Sequence, residues 1–286
     1  MTTTEQTGVV SIDGLTIVSS LTGETLVDDV TLALRRGGVT GIVGESGSGK
    51  TLTCRSMLGV LPDGVEIAAG RIVVDGQDVT GFREREWSRL RGGVISAVFQ
   101  DPGSYLHPSL TIGAQLREVL RVKRGLRRRA ARVESARLLD AVRLGDTGRV
   151  ARSYPHELSG GMLQRVLIAI AIALEPRVLI ADEATTALDV TVQAEILDLL
   201  TDLRERIGLT LLVVSHDLSV IAQLCDEVVV LRDGRVVEAG RTAQVIGAPR
   251  HPYTRLLIEE HEKYGIERFV ALPASEPDAA AVTRVG

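Results

Sequence analysis

Eight consecutive residues, Gly44, Glu45, Ser46, Gly47, Ser48, Gly49, Lys50 and Thr51, have the types and spacing of a phosphate cradle. They fit G-x-x-x-x-G-K-[ST], with the apolar run Val39 to Val43 reading as a buried strand before them and Leu52 to Val60 as a helix after them. Three glycines let the main chain wrap closely around phosphates. Successive N–H groups form an anion nest, and a helix beginning near Lys50 adds its positive end. Lys50 is placed to reach terminal phosphates and the Thr51 hydroxyl to hold Mg²⁺. A glycine-rich turn without nucleotide is the plainer alternative, and the flanking strand and helix weigh against it. The lysine is itself distinctive, because among 33 basic residues only Lys50, Lys123 and Lys263 are lysines. A compact ammonium fits among phosphate oxygens where a planar guanidinium does not.

A second chemical element is the apolar run Val178 to Ala181, which ends in Asp182-Glu183. Carboxylates at the carboxyl end of a parallel strand stand where ligands bind in such sheets. Asp182 is positioned to hold Mg²⁺ through water, and Glu183 to orient and deprotonate an attacking water. Leu211 to Val214 repeats the geometry and leads through Ser215 to His216. Alone, His216 reads as a hydrogen-bonded structural residue; on a strand parallel to the others it faces the position of a terminal phosphate. Ser159-Gly160-Gly161 opens a helix and forms another candidate phosphate element, although a plain N-cap explains the same residues. Two anion elements in one chain that ought not to share one nucleotide point to a dimer, with the nucleotide between the loop of one subunit and Ser159 to Gly161 of the other.

These residues need a scaffold, and the periodicities supply one. Val9 to Val18 and Thr25 to Leu34 are β-rich runs, followed by strand signals at Arg71 to Asp75 and Val94 to Phe99. From Ile112 to Leu144 apolar residues recur at three- and four-residue steps, so 104–155 reads as the start of a helical subdomain inserted into an α/β core made of 1–103 and 156–250. Helices over Gly161 to Leu174 and Val190 to Ile207 alternate with strands, which implies a parallel sheet covered by helices. Glu227 to Leu231, Asp233-Gly234 and Arg235 to Glu238 read as a closing hairpin. Residues 251–286 read as an extension, loose beyond about 272.

Composition narrows the function classes. Apolar residues make up 44% of the 286, enough for a sizeable core, and the net charge of −4 does not suggest nucleic acid as a partner. Cys54 and Cys225 are far apart with no metal-type spacing, which fits a reducing compartment and excludes a cysteine-ligated cluster. The N-terminus lacks the pattern of a signal peptide, and the longest apolar run, Val166 to Leu174, is far short of a membrane span. A soluble, cytoplasmic protein is the expectation. The basic stretch Arg121 to Arg132 reads as a solvated helix face, with anionic lipid as the other possibility.

Taken in order, the loop Gly44 to Thr51, Gln100, Leu158 to Gly161, Asp182-Glu183, Ala187-Leu188-Asp189 and His216 resemble the motif set of ATP-binding cassette subunits of transporters. The resemblance covers roughly residues 9 to 240. It implies a P-loop NTPase core with an N-terminal antiparallel β-subdomain and an inserted helical subdomain. It also implies ATP and Mg²⁺ as ligands, with Gln100 sensing the metal and the γ-phosphate while coupling to the membrane subunit, His216 contacting the γ-phosphate, and Asp189 in the D-loop that contributes to nucleotide binding. The partners implied are a second ATPase subunit, either a copy or a paralogue, two transmembrane permease subunits, and an extracytoplasmic solute-binding protein acting indirectly, with this chain peripheral at the cytoplasmic face of the membrane. The alternatives, a DNA- or ribosome-acting cassette and a nucleotide-binding regulator, lack support: the chain has neither a coiled-coil or zinc insertion nor two cassettes, and Glu183 and His216 are both present.

Val98-Phe99-Gln100-Asp101-Pro102, Ser159 to Arg165 and His251-Pro252-Tyr253-Thr254 narrow the similarity to the peptide, opine and nickel importer group. The chain departs from the family at Leu21 to Thr25, where the usual adenine-stacking aromatic is missing, and at Ala184, where proline usually follows the acidic pair. It also departs at His107-Pro108, where peptide-type members often have Asn-Pro. With no cysteine after Cys225 and the run Leu52-Thr53-Cys54 after the loop, the sequence resembles the nickel and metal-chelate importers of the group more than the di- and oligopeptide importers. Nickel or a metal–metallophore complex is therefore the expected cargo, and peptides the alternative. His107, His156, His251 and His261 are scattered and are not read as ligands of it.

Overall fold

The computed structural model describes residues 8–184 and 188–263. The chain opens with two long strands, β1 (Gly8–Ser19) and β2 (Thr25–Arg35), followed by β3 (Val39–Val43) and α1 (Lys50–Ser56). Then come β4 (Val65–Val74), β5 (Gln77–Asp78), α2 (Glu84–Leu90) and β6 (Ile95–Val98). Four helices follow in succession: α3 (Ile112–Lys123), α4 (Arg128–Ala141), α5 (Thr147–Arg152) and α6 (Gly160–Ile172). The second half alternates β7 (Val178–Asp182), α7 (Val190–Ile207), β8 (Thr210–Val214), α8 (Leu218–Leu224), β9 (Glu227–Arg232) and β10 (Arg235–Arg241), closing with α9 (Thr242–Gly247) and α10 (Pro252–Lys263).

Two sheets organise these elements. The first is antiparallel, in the order β2-β1-β4-β5; the second runs β10-β9-β3-β8-β7-β6, parallel except for the β9–β10 hairpin. Every residue of β3, β7 and β8 is buried, as a parallel sheet covered on both faces requires. Because successive side chains point to opposite faces, these strands feed two cores at once. Leu179, Ala181, Leu211 and Val213 join the apolar cluster with the helical segment, while Val178, Ile180, Leu212 and Val214 join the cluster with β1, β2 and α1. The mixed α/β class, the antiparallel unit and the covered parallel sheet are as the sequence indicates.

Two local readings are corrected. Helix α1 stops at Ser56 and does not reach Val60, because Gly59 turns at φ +62° under Trp87, whose ring lies 2.2 Å from where a Cβ would stand. Strand β4 begins at Val65 and not at Arg71; its first half is largely exposed, so it carries no apolar signal. The helical period over Ile112 to Leu144 is carried by two helices, α3 and α4, separated at Gly125, which takes φ +65°. Residues Thr185 to Ala187 and the stretch from Tyr264 onward, including the expected loose tail, lie outside the described residues.

Candidate nucleotide site

The sheet register brings the chemistry to one rim. Val98 pairs with Ala181, Asp182 with Val214 and Ile42 with Val214, so β6, β7, β8 and β3 end side by side. The segments that follow them carry Gln100, Glu183, His216 and the phosphate loop.

The loop leaves β3 through Gly44, at φ +154°, where a Cβ would lie 2.1 Å from the Leu231 carbonyl and 2.7 Å from the Ser48 hydroxyl. Any side chain there would collide with β9, so this glycine is fixed by packing as well as by backbone freedom. Gly49 is the N-cap of α1 in the left-handed region and offers no side chain, leaving the first N–H groups of α1 uncapped. Lys50 is buried, and its Nζ donates to the carbonyls of Gly44 and Glu45, each at 2.7 Å. Burial pushes its ammonium below the ordinary lysine value, and the nearby Glu183 and Asp182 carboxylates pull it back up. A cleft of about 520 Å³ adjoins the loop, lined by Thr25, Leu26, Ser46, Gly47, Lys50 and Glu183 among others.

Thr51 Oγ1 donates to Asp182 Oδ1 at 3.5 Å. Desolvation raises the Asp182 pKa, while the Thr51 bond lowers it. Glu183 is a non-glycine residue at φ +49°, a strained conformation that its N–H helps hold by donating to Val214 O at 3.0 Å. Its Oε1 stands 3.7 Å from His216 Nδ1. Thus Lys50, Thr51, Asp182, Glu183 and His216 converge. Gln100 is exposed just past the end of β6, next to Phe99, whose ring stacks on Tyr105 with centroids 5.4 Å apart.

Ser159, Gly160 and Gly161 do not line the cleft beside Lys50. Ser159 is the N-cap of α6, accepting from Met162 N at 3.4 Å. Asp189 likewise caps α7, accepting from Val192 N at 3.0 Å. The two glycines differ: a Cβ on Gly161 would come within 2.5 Å of Val192 Cγ1, whereas one on Gly160 would meet only Leu188 at 3.7 Å. Gly161 therefore lets α6 and α7 approach, a packing role the sequence reading did not separate from anion binding. The exposed starts of both helices lie together on one surface.

Sequence reasoning missed three participants. Arg55, from α1, places its guanidinium 5.8 Å from the Phe99 ring centroid and its charge near Asp182. Tyr253 accepts a hydrogen bond from Glu45 N at 3.0 Å, 208 residues away in sequence. His261 Nε2 lies 2.7 Å from the carbonyl oxygen of His216. Only the His251-Pro252-Tyr253-Thr254 run was a signal, and nothing local in it points to the phosphate loop.

A buried strand, a glycine-framed loop closing on a lysine, and a Thr–Asp pair at the rim of a parallel sheet define a P-loop nucleotide-binding protein. A family model described as "ABC transporter" matches residues 27–186. The probable D,D-dipeptide transport ATP-binding protein DdpD of Escherichia coli is 42% identical over 255 residues, covering 88% of this chain and 78% of the relative. The oligopeptide transport ATP-binding protein OppD of Salmonella typhimurium is 41% identical over 256 residues, covering 89% and 76%. Among solved structures, a dimeric ATP-binding cassette in a post-hydrolysis state bound to ADP and Pi superposes with a TM-score of 0.72 at 28% identity, covering 82% of this chain and 98% of that one. The chain belongs to the ABC transporter family and is an ATP-binding ATPase of it.

Proposed function

We propose that this chain is the energy-coupling ATPase of a peptide importer. The observation that carries the catalytic part is the convergence of Lys50, the Thr51–Asp182 pair and the Glu183–His216 pair at one sheet rim. The Lys50 ammonium, now anchored on two loop carbonyls, is the counter-charge for the terminal phosphates, and the loop N–H groups cradle them. Thr51 and Asp182 offer the hard oxygen donors that suit Mg²⁺, with Gln100 available from the neighbouring strand end. When bound, that ion would supply charge neutralisation at the phosphates. Glu183 accepts a proton from the attacking water and turns it toward phosphorus. His216, beside it, orients the γ-phosphate and holds the Glu183 carboxylate in place.

The second half of the site comes from another ATPase subunit, which presents Ser159, Gly160 and Gly161 to the phosphates. In this chain Ser159, Gly160 and Asp189 are exposed, Gly161 is half-buried against Val192, and none of the four lines the cleft, as a shared site needs. Two membrane-spanning permease subunits complete the machine, a reading supported by the transport names of the relatives; among the described residues no helix is long and apolar enough to cross a membrane. A membrane-peripheral position on the cytoplasmic side, with a solute-binding protein outside, follows from this assignment.

For the cargo, the relatives replace the expectation of nickel. Both relatives described above, and the dipeptide transport ATP-binding protein DppD of Escherichia coli at 39% identity, carry peptide-transport names.

Two experiments test the proposal. In purified protein, Glu183→Gln is expected to keep ATP binding and lose hydrolysis by about 100-fold or more, leaving a closed dimer; undiminished turnover would remove Glu183 from the base role. In cells, deleting the gene is expected to abolish growth on peptides and leave nickel uptake intact. Loss of nickel uptake with normal peptide use would return the cargo to the metal.

A further inference from the structure

The His251-Pro252-Tyr253-Thr254 run has no part in the ATPase chemistry described above, yet the structure ties its helix to both catalytic loops. The start of α10 is fixed by Glu238 of β10, whose two carboxylate oxygens accept from the main-chain N–H groups of Arg250 at 2.9 Å and His251 at 3.0 Å. The Tyr253 side chain then runs inward and is only 2% exposed. The Arg232 guanidinium lies 4.7 Å from its ring centroid. Its hydroxyl oxygen accepts from the N–H of Glu45 at 3.0 Å. Burial pushes the Tyr253 phenol up, so the hydroxyl stays neutral and can keep accepting from that amide.

The bonded residue is the informative part. Glu45 N–H is held by Tyr253, and Glu45 C=O holds Lys50 Nζ at 2.7 Å. One peptide residue thus links the C-terminal helix to the phosphate-binding lysine. Eight residues further along α10, about 12 Å at 1.5 Å per residue, His261 reaches the main-chain carbonyl of His216 at 2.7 Å. The helix therefore spans from the loop after β3 to the loop after β8.

We propose that Tyr253 is a positioning residue for ATP binding: α10 is a strap whose tyrosine hydroxyl fixes the Glu45 peptide, and through it Lys50, in the geometry that receives the terminal phosphates. Conformational freedom in the phosphate loop is thereby removed before nucleotide arrives, which favours binding without adding a contact to the nucleotide. The strap does not touch Glu183 and approaches His216 only at its main chain, so its tyrosine acts on affinity and not on the chemical step.

The inference rests on ATP binding at this loop, and the test separates the two. Wild-type full-length chain should bind Mg-ATP and Lys50→Ala should not; a wild type that does not bind would refute the site itself. Tyr253→Phe keeps the buried ring beneath Arg232 and deletes only the acceptor. It is expected to raise KM for Mg-ATP about five- to tenfold, the effect of removing one part-buried hydrogen bond, with kcat within twofold of wild type. Leu257→Met, a volume-conserving change one turn further along the same helix and also buried, should leave KM unchanged. A Tyr253→Phe KM within twofold of wild type would overturn the assignment, as would matching KM changes in both variants. Hydrogen exchange in the wild type gives an independent reading should Tyr253→Phe fail to fold. The Glu45 amide is expected to exchange as slowly as the amides of β3, and exchange at the rate of an open loop would equally overturn it.

Discussion

At the scale of single residues, the site holds charge under tension. Asp182 is buried beside Glu183, and desolvation raises its pKa above the ordinary carboxylate value. A carboxyl whose folded pKa is raised makes the folded state relatively more stable when protonated. Its ionisation therefore costs stability as pH rises through the unfolded and then the folded pKa, and that cost is fully present above the raised value. Asp182→Asn is accordingly expected to raise Tm at neutral pH in nucleotide-free protein while ATP hydrolysis is lost. Titrating Tm of both proteins checks the sign: the advantage of the variant should shrink toward acid and vanish below about pH 4, where both side chains are neutral. An advantage independent of pH would assign it to packing. Glu183, held at φ +49° one residue later, is a second local cost placed at the reacting centre.

At the scale of elements, the junction of α6 with α7 decides whether two helix starts can lie together. Arg165, largely buried, reaches across it, donating to Val142 O at 3.1 Å and to Glu195 Oε2 at 2.6 Å. Gly161 makes the approach possible, since a methyl group there would stand 2.5 Å from Val192 Cγ1. Gly161→Ala is expected to destabilise the chain by about 1–3 kcal/mol, the usual cost of overpacking. Adding Val192→Ala should recover most of that loss in a denaturant titration. Failure of the second substitution to rescue stability would show that clearance from Val192 is not what the glycine provides. ATP turnover in the rescued double variant then reports on anion binding separately from packing.

At the scale of the whole molecule, the cleft offers a nucleotide the phosphate loop and little that would hold its base. Leu21 is 86% exposed, and the cleft wall near the start of β2 is formed by Glu24, Thr25 and Leu26, with no aromatic ring among the residues that line it. Affinity that comes mainly from phosphates does not distinguish purines. GTP and ATP are therefore expected to bind within about tenfold of each other, a gap below roughly 1.4 kcal/mol, in a competition measurement. A strong ATP preference would show that another residue, or the second subunit, holds the base.

The sequence by itself determined what local pattern can carry. The phosphate loop, Asp182-Glu183 and His216 follow apolar runs that can only be buried strands, and a β-strand hands its next residues to a fixed sheet rim. Motif order and these apolar runs thus mark residues that the sheet brings together, along with the α/β alternation and the closing hairpin. What the tertiary structure alone decided lies where distant segments meet. The end of α1 depends on Trp87 covering Gly59, and the exposed first half of β4 is a strand only because β1 pairs with it. Gly161 looks like an anion-binding glycine until Val192 is seen against it, and Tyr253 becomes part of the phosphate loop through one hydrogen bond spanning 208 residues. Such contacts leave no periodicity, because each is made by a single pair of residues that the sheet, and not the chain, brings together.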